Sequence, residues 1–211
     1  MAGAISVVGL SFGAIAVASG VEWWMPTALS VLVFAGGSQF MVVGVVAAGG
    51  GLLAAVFGAL LLNARHLPFG LAIGDLMGRG KLARIVGSHF MIDESVAFAL
   101  AQKDPVRARA VFWFLGTTAF VVWNVGTVIG AAAGQVIGDP DVFGLDAAFP
   151  AALLALLLPS LKNARVRGAA LLGAVIALAT TPFLPAGVPV LLALGGLVVL
   201  IPAPKKVEMA A

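Results

Sequence analysis

Apolar residues run along this chain in long continuous stretches, cut by short clusters of glycine, proline and charged residues. Continuous runs of this length, rich in Gly, Ala, Leu and Val, predict helices rather than half-buried strands, which would alternate. At about 20 apolar residues per bilayer crossing, the candidate segments are Gly3–Gly20, Pro26–Ala48, Leu52–Gly74, Ile85–Gln102, Ala110–Ile137, Ala147–Leu161, Gly168–Leu184 and Gly187–Ile201. Turn chemistry marks the cuts, at Gly49-Gly50-Gly51, Gly78-Arg79-Gly80, Asp139-Pro140-Asp141 and Pro185-Ala186-Gly187. The expected fold is an all-α polytopic membrane protein with about six to eight helical segments, some broken or re-entrant. It forms one membrane domain over residues 1–202, with a short basic tail at 203–211.

Composition strengthens that reading. The 211 residues are 62% hydrophobic and 10% charged, with a mean hydropathy of +1.13. Soluble domains carry about 25% charged residues. The bilayer, which forces backbone groups to pair internally, is the solvent that makes this chain reasonable. There are no cysteines, so thiol and disulfide chemistry are excluded. A net charge of +3 spread in small clusters between apolar stretches is no nucleic-acid footprint. The first stretch, Gly3 to Ser19, has the length of a signal-peptide core but no basic lead, and it reads as a span.

Basic residues orient the second half by the positive-inside rule. Lys103, Arg107 and Arg109 mark one cytoplasmic loop, Lys162, Arg165 and Arg167 another, and Lys205 and Lys206 a cytoplasmic tail. The intervening loop carries Asp139, Asp141 and Asp146. Arg79, Lys81 and Arg84 break the alternation, because one segment, Ile85–Gln102, separates them from Lys103. Either that segment enters and leaves on one side, or one cluster violates the rule. Irregular backbone at membrane depth is tolerated where it lines protein or a wet cavity. The conflict therefore falls where a transport site would disturb regular topology.

Three polar blocks interrupt the apolar runs. Gly36-Gly37-Ser38-Gln39 weakens a helix by about 1 kcal/mol per glycine relative to alanine. A break there would let Ser38 cap a new helix beginning near Gln39 or Phe40, whose free amides favour a carboxylate. The alternative is close helix packing through small residues. In Asn63-Ala64-Arg65-His66, an arginine sits beside a kink expected at Pro68, which cannot donate to the carbonyl of Ala64. Arginine at mid-membrane costs about 2.5–3.5 kcal/mol, so the block reads as a polar cavity wall, or as a snorkelling arginine near a surface. In the third block, His89 and Asp93 are four apart and would share one helix face. Asp93 or Glu94 could neutralise Arg65, hold a substrate ammonium or take up a proton. The alternative for this block is an amphipathic surface helix.

Further on, Gly126, Gly130 and Gly134 give a flat face for close helix packing, and Asn124 is the polar residue of that span with a claim to the pathway. Trp23 and Trp24 beside Glu22 look like an interfacial belt. Asn63-Ala64-Arg65 recurs as Asn163-Ala164-Arg165 in a different setting, and the match reads as chance. No nucleophile–base pair, metal-ligand set or ATP-binding loop stands out. Neither an enzyme nor a cofactor is expected.

Phe34-Ala35-Gly36-Gly37-Ser38-Gln39-Phe40, Leu62-Asn63-Ala64-Arg65-His66 and Asp93-Glu94-Ser95 resemble, in order and spacing, the signature blocks of AzlC-type proteins. These are large membrane subunits of branched-chain amino acid exporters. Trp123-x-x-Gly126-Thr127-x-x-Gly130 fits the same pattern, and the resemblance runs from about Leu10 to near the C-terminus. It implies export of valine, leucine, isoleucine or related amino acids across the bacterial inner membrane, with a small AzlD-type membrane partner. Two departures stand out. The chain lacks a basic lead, so the first span is expected to be incomplete. Met91-Ile92 replaces the more usual Leu-Thr, removing a hydroxyl.

On the residue reading, a zwitterionic substrate places its carboxylate near Arg65 or the helix start at Ser38–Phe40. Its ammonium faces Asp93 or Glu94. The candidate site is therefore Gly36, Gly37, Ser38, Gln39, Asn63, Arg65, His66, Asp93 and Glu94, with proton coupling through a carboxylate. A small-solute channel and a non-transporting assembly subunit are the rival readings.

Overall fold

A computed structural model describes residues 1–136, 154, 157, 158, 160–184 and 188–200. Among these, all regular structure is helical. Most of the expected span Ala147–Leu161, the acidic loop at 139–146, the turn at 185–187 and the tail at 203–211 lie outside the described residues.

The apolar stretches become helices, but most are broken. α1 covers Ala2–Ala18 and α2 covers Trp24–Leu32. α3 covers Gly36–Ala47, α4 Leu52–Asn63 and α5 His66–Met77. α6 runs Lys81–His89, α7 Asp93–Leu100 and α8 Pro105–Val136. A helix at Ala164–Thr180 and a short one at Val188–Leu192 follow, the latter continuing as a 3-10 helix over Ala193–Leu200. Asn163 caps the first of these, accepting the amides of Arg165 and Val166, so it does a different job from Asn63 at the end of α4.

Glycine ends α1 and α3 in the same way. Gly20 and Gly49 adopt φ of +85° and +74°, a conformation other residues avoid. In each case two amides turn back onto the last helical carbonyls, Gly20 N–H to Val17 and Val21 N–H to Ala16, then Gly49 N–H to Val46 and Gly50 N–H to Val45.

α8 is the spine. Its 32 residues make a rod of about 48 Å, and it is the one described helix that is alone long and apolar enough to cross a membrane. α4 and α5 meet that test together, bent by 46°. α8 packs on α1, α2, α5 and α7. The contact with α1 is backbone on backbone. A Cβ on Gly126 would lie 2.5 Å from the Ser6 carbonyl, one on Gly134 2.9 Å from that of Ala14, and one on Gly130 would overlap the Leu10 carbonyl. Gly9 and Gly13 return the fit from α1, against Trp123 and Thr127. The small-residue face is used as expected, within this chain. Around it, Phe12, Ile15, Phe34, Phe40, Val43 and Trp123 form one core. Ile73, Met77, Met91, Val96, Ala99 and Phe112 form a second, nearer the start of α8.

The second core resolves the path of the chain between the two basic clusters. Arg109, in the second turn of α8, donates from Nε to the Leu76 carbonyl (3.1 Å) and from Nη2 to that of Asp75 (3.0 Å). A cation here meets the negative end of the α5 dipole. The end of α5 and the start of α8 therefore lie at one level. Arg84 stays at that turn, its Nε 3.4 Å from the Gly78 carbonyl. Between these points, α6 and α7 make an excursion and return. At its far point the Phe90 carbonyl would stand 2.6 Å from a Cβ on Gly116, eleven residues into α8, about 17 Å along its axis. From there α7 runs back with Val96 and Ala99 in the second core, and α8 begins at Pro105. Ile85–Gln102 thus leaves and returns at one end of the molecule, with Arg79–Arg84 and Lys103–Arg109 together there. α6 alone matches the amphipathic surface helix considered for this block: Lys81, Leu82, Arg84 and Ile85 are exposed and Gly87 is buried.

Because native cysteines are absent, this path is directly testable. Single cysteines replacing Arg79, Arg107 and Arg165 are expected to stay silent to an impermeant thiol reagent added outside, and one replacing Asp141 to react. External labelling at 79 but not at 107 would mean that 85–102 crosses the membrane, contrary to the fold.

Candidate functional site

Three helix breaks meet halfway along α8. The first lies at Val33–Ala35 between α2 and α3. This corrects the expected position. Gly36 and Gly37 are helical, and the N-cap is Ala35, extended at φ −153° and ψ 88°. Ser38 is not the cap; it sits buried in the first turn and donates to the Ala35 carbonyl (2.9 Å). The reason is packing. Gly36 must lie flat under the indole of Trp123, where a Cβ would come within 2.8 Å of Cη2.

The second break is at Ala64-Arg65. Pro68 has no N–H for the Ala64 carbonyl, which instead accepts the amide of Leu67 (3.1 Å). Proline thus falls in the first turn of a new helix, where its missing donor costs nothing. The third break, Phe90–Ile92, separates His89 on α6 from Asp93 on α7. The expected shared helix face does not exist. Ile92 occupies the cap position, extended at φ −124° and ψ 165°, and has no acceptor to offer. Ser95 compensates, its hydroxyl accepting the Ile92 amide (3.0 Å) and facing the carbonyls of Phe90 and Ile92. The hydroxyl that this chain lacks relative to the usual Leu-Thr is therefore an N-cap. Ile92→Thr restores the acceptor but gives up the apolar side chain that packs against the core around Phe12 and Trp123, so the cap's contribution of about 1 kcal/mol is offset.

α3, α5 and α7 all begin at these breaks, so three positive helix ends face one region. Arg65 adds a cation there. Its Nη1 pairs with Oδ2 of Asp93 at 2.8 Å, the two side chains 39% and 50% open. Asp93, at the first position of α7, also meets its own helix dipole favourably. Glu94 is exposed and makes no ion pair among the described residues. Of the two carboxylates considered, Asp93 is the arginine's partner. Gly37 faces the same guanidinium, a Cβ there lying 3.9 Å from Nη2. Asn63 and His66 face each other, His66 Nδ1 standing 2.9 Å from the Asn63 carbonyl.

The region is rich in unmet polar capacity. Among the described residues, Oε1 and Nε2 of the fully buried Gln39, Oδ1 of Asn63, Nε of Arg65, Nε1 of Trp123 and Oδ1 of Asn124 are buried without a hydrogen-bond partner. Buried polar groups are normally satisfied, so such a cluster points to a ligand or water pathway. Asn124 donates from Nδ2 to the Phe120 carbonyl in its own helix.

Sequence reasoning missed an aromatic box. His89 lies among Phe34, Phe90 and Phe120, with ring centroids 6.3, 5.9 and 5.5 Å away. Phe34 and Phe120 stack edge to face at 5.1 Å. The box ties the first and third breaks to α8. Nothing local in the sequence announces it, because its members come from three separate segments.

A family model described as AzlC protein matches residues 1–137. An uncharacterized membrane protein of Archaeoglobus fulgidus is 33% identical over 174 residues, covering 82% of this chain and 76% of the relative. One from Helicobacter pylori, also named an uncharacterized membrane protein, is 25% identical over 173 residues, covering 81% and 75%. No solved structure matches the chain. The matched residues contain all three breaks and the Arg65–Asp93 pair, and the chain belongs to the AzlC family of membrane proteins.

Proposed function

We propose that this protein exports branched-chain amino acids (valine, leucine, isoleucine or close analogues) across the bacterial cytoplasmic membrane, as a secondary, proton-coupled transporter and not an enzyme. The observation that carries the proposal is the convergence of three helix breaks on the Arg65–Asp93 pair. Contacts to Gly116, Phe120 and Trp123 put that convergence around the middle of α8. Discontinuous helices whose N-termini meet near the midplane are how many transporters hold a polar substrate group. A fixed cation and a fixed anion side by side match the two ends of a zwitterion. Arg65 takes the carboxylate, Asp93 the ammonium, and the surrounding phenylalanine and aliphatic surface the side chain. Coupling to the proton gradient is assigned to Asp93, since carboxylates within membrane segments commonly serve as proton relays. On this reading the end of α5, the start of α8 and the C-terminal tail lie in the cytoplasm, and the basic clusters there support it.

The proposal includes the small AzlD-like membrane subunit. The Gly126/Gly130/Gly134 face gives no reason for it, being filled by α1. The half-open pair does. A charge pair 39% and 50% open near mid-membrane needs cover from hydrocarbon, and an apolar groove lined by Phe57, Leu60, Leu61, Ala64 and Leu191 runs up to the same break. Purified alone into liposomes, the chain is expected to exchange little leucine, and with the small subunit to exchange it at full rate. Full activity from this chain alone would contradict the partnership.

A further inference from the structure

The two adjacent glycines of the first break do different jobs. Successive residues on a helix point about 100° apart, so Gly36 and Gly37 look at different neighbours. Gly36 looks at Trp123, and a Cβ there would strike the indole at 2.8 Å. Its small size is explained by packing. Gly37 has no such explanation. Beyond its own helix, the only heavy atom among the described residues within 4 Å of a Cβ at that position is Nη2 of Arg65, at 3.9 Å, an ordinary contact. Alanine fits there and is the better helix former, yet the chain leaves the space open.

What borders the space is chemistry for an anion. The first intrahelical bond of α3 is Gln39 N–H to the Ala35 carbonyl, so the amides of Gly36, Gly37 and Ser38 have no intrahelical acceptor. Arg65 pairs with Asp93 through Nη1, leaving Nη2 turned to Gly37, and its Nε is buried without a partner among the described residues.

Building on the transport reading, we propose that the missing side chain of Gly37 is the seat of the substrate carboxylate, held between the first-turn amides of α3 and the guanidinium of Arg65. A methyl group on residue 37 fills the seat without disturbing the fold. The ammonium end, at Asp93, is untouched.

The test compares wild type and Gly37→Ala, each co-purified with the small membrane subunit, by the thermal stabilisation that three probes confer. The probes are L-leucine, isovalerate (carboxylate without ammonium) and isoamylamine (ammonium without carboxylate). Gly37→Ala is expected to unfold at or above the wild-type temperature without ligand. It should need at least about tenfold more leucine or isovalerate for the same stabilisation, the effect of losing one charge-assisted contact, and to respond to isoamylamine as wild type does. An unchanged response to leucine and isovalerate overturns the seat while leaving the transport reading intact. Loss of the isoamylamine response as well overturns it too, since the damage would not be specific to a carboxylate. A wild type that responds to isovalerate but not to leucine, with the response lost in Gly37→Ala, supports the seat and overturns the amino-acid reading. A wild type that responds to none of the three overturns both.

Discussion

Arg65→Ala is expected to bring valine export from loaded cells to near background, with the protein still inserted in the membrane. Arg65 is the cation proposed to take the substrate carboxylate, and any folded protein lost by leaving Asp93 without its partner is removed by normalisation, so the loss of export reports on the substrate. A charge-assisted hydrogen bond is worth about 1.5–3 kcal/mol, or about 10- to 100-fold in affinity for the carboxylate. Asp93→Asn is expected to do comparable harm at the ammonium end. Glu94→Gln, at an exposed residue with no ion pair among the described residues, should cost much less. Adding Asp93→Asn to Arg65→Ala should recover part of any lost folded yield, because it removes a carboxylate left without its cation. Arg107→Ala and Arg165→Ala serve as loop controls and should export normally. Export is normalised to folded protein in the membrane. Near-normal export by Arg65→Ala and Asp93→Asn together would leave the site without support.

Gly130→Leu is expected to have the largest effect on the fold. Its Cβ would fall on the Leu10 carbonyl and its remaining carbons into α1, with Ala14 N already 3.0 Å from the Cβ position. Neither neighbour is the end of a flexible side chain, so α1 and α8 must separate along their length. Overpacking costs about 1–3 kcal/mol in ordinary cores, and a backbone contact between rods belongs at the top of that range. The yield of monodisperse protein in detergent should collapse. Gly74→Ala, where no described atom beyond its own helix lies within 4 Å of the Cβ, is the control and should be tolerated or slightly stabilising. Equal yields from the two variants would show that α1 does not pack on α8 in this way.

The sequence made the helical class legible, along with the unusual character of residues 36–39, 63–66 and 89–95, because apolar length and polar interruption are local properties. Pro68 foretold the bend between α4 and α5 for a local reason as well, a missing amide. Positions that depend on distant neighbours were not legible. Glycine's poor helix propensity argued for a break at Gly36-Gly37, but Trp123, far along the chain, requires Gly36 inside the helix. His89 and Asp93 have helical spacing, yet Ile92 is extended and neither glycine nor proline marks the break. Ser95, three residues beyond Ile92, was the available sign, and it reads as a cap only once the break is known. The charge pattern posed the problem of Ile85–Gln102 without solving it. The solution rests on Arg109 reaching Asp75 and Leu76 across more than thirty residues of chain. The glycine face of α8 was visible, whereas its neighbour α1 was not.

The central claim, that three broken helices build an amino-acid site halfway along α8, is tested most directly by counterflow in proteoliposomes. Vesicles holding this chain and its small subunit are loaded with unlabelled leucine and diluted into trace labelled leucine. The expected result is a transient, saturable accumulation of label, inhibited by valine and isoleucine and absent from Arg65→Ala. Accumulation that persists in Arg65→Ala would contradict the site. Equilibration of label without overshoot, saturation or competition would show a channel instead. No flux with the subunit present would assign the chain to assembly rather than transport.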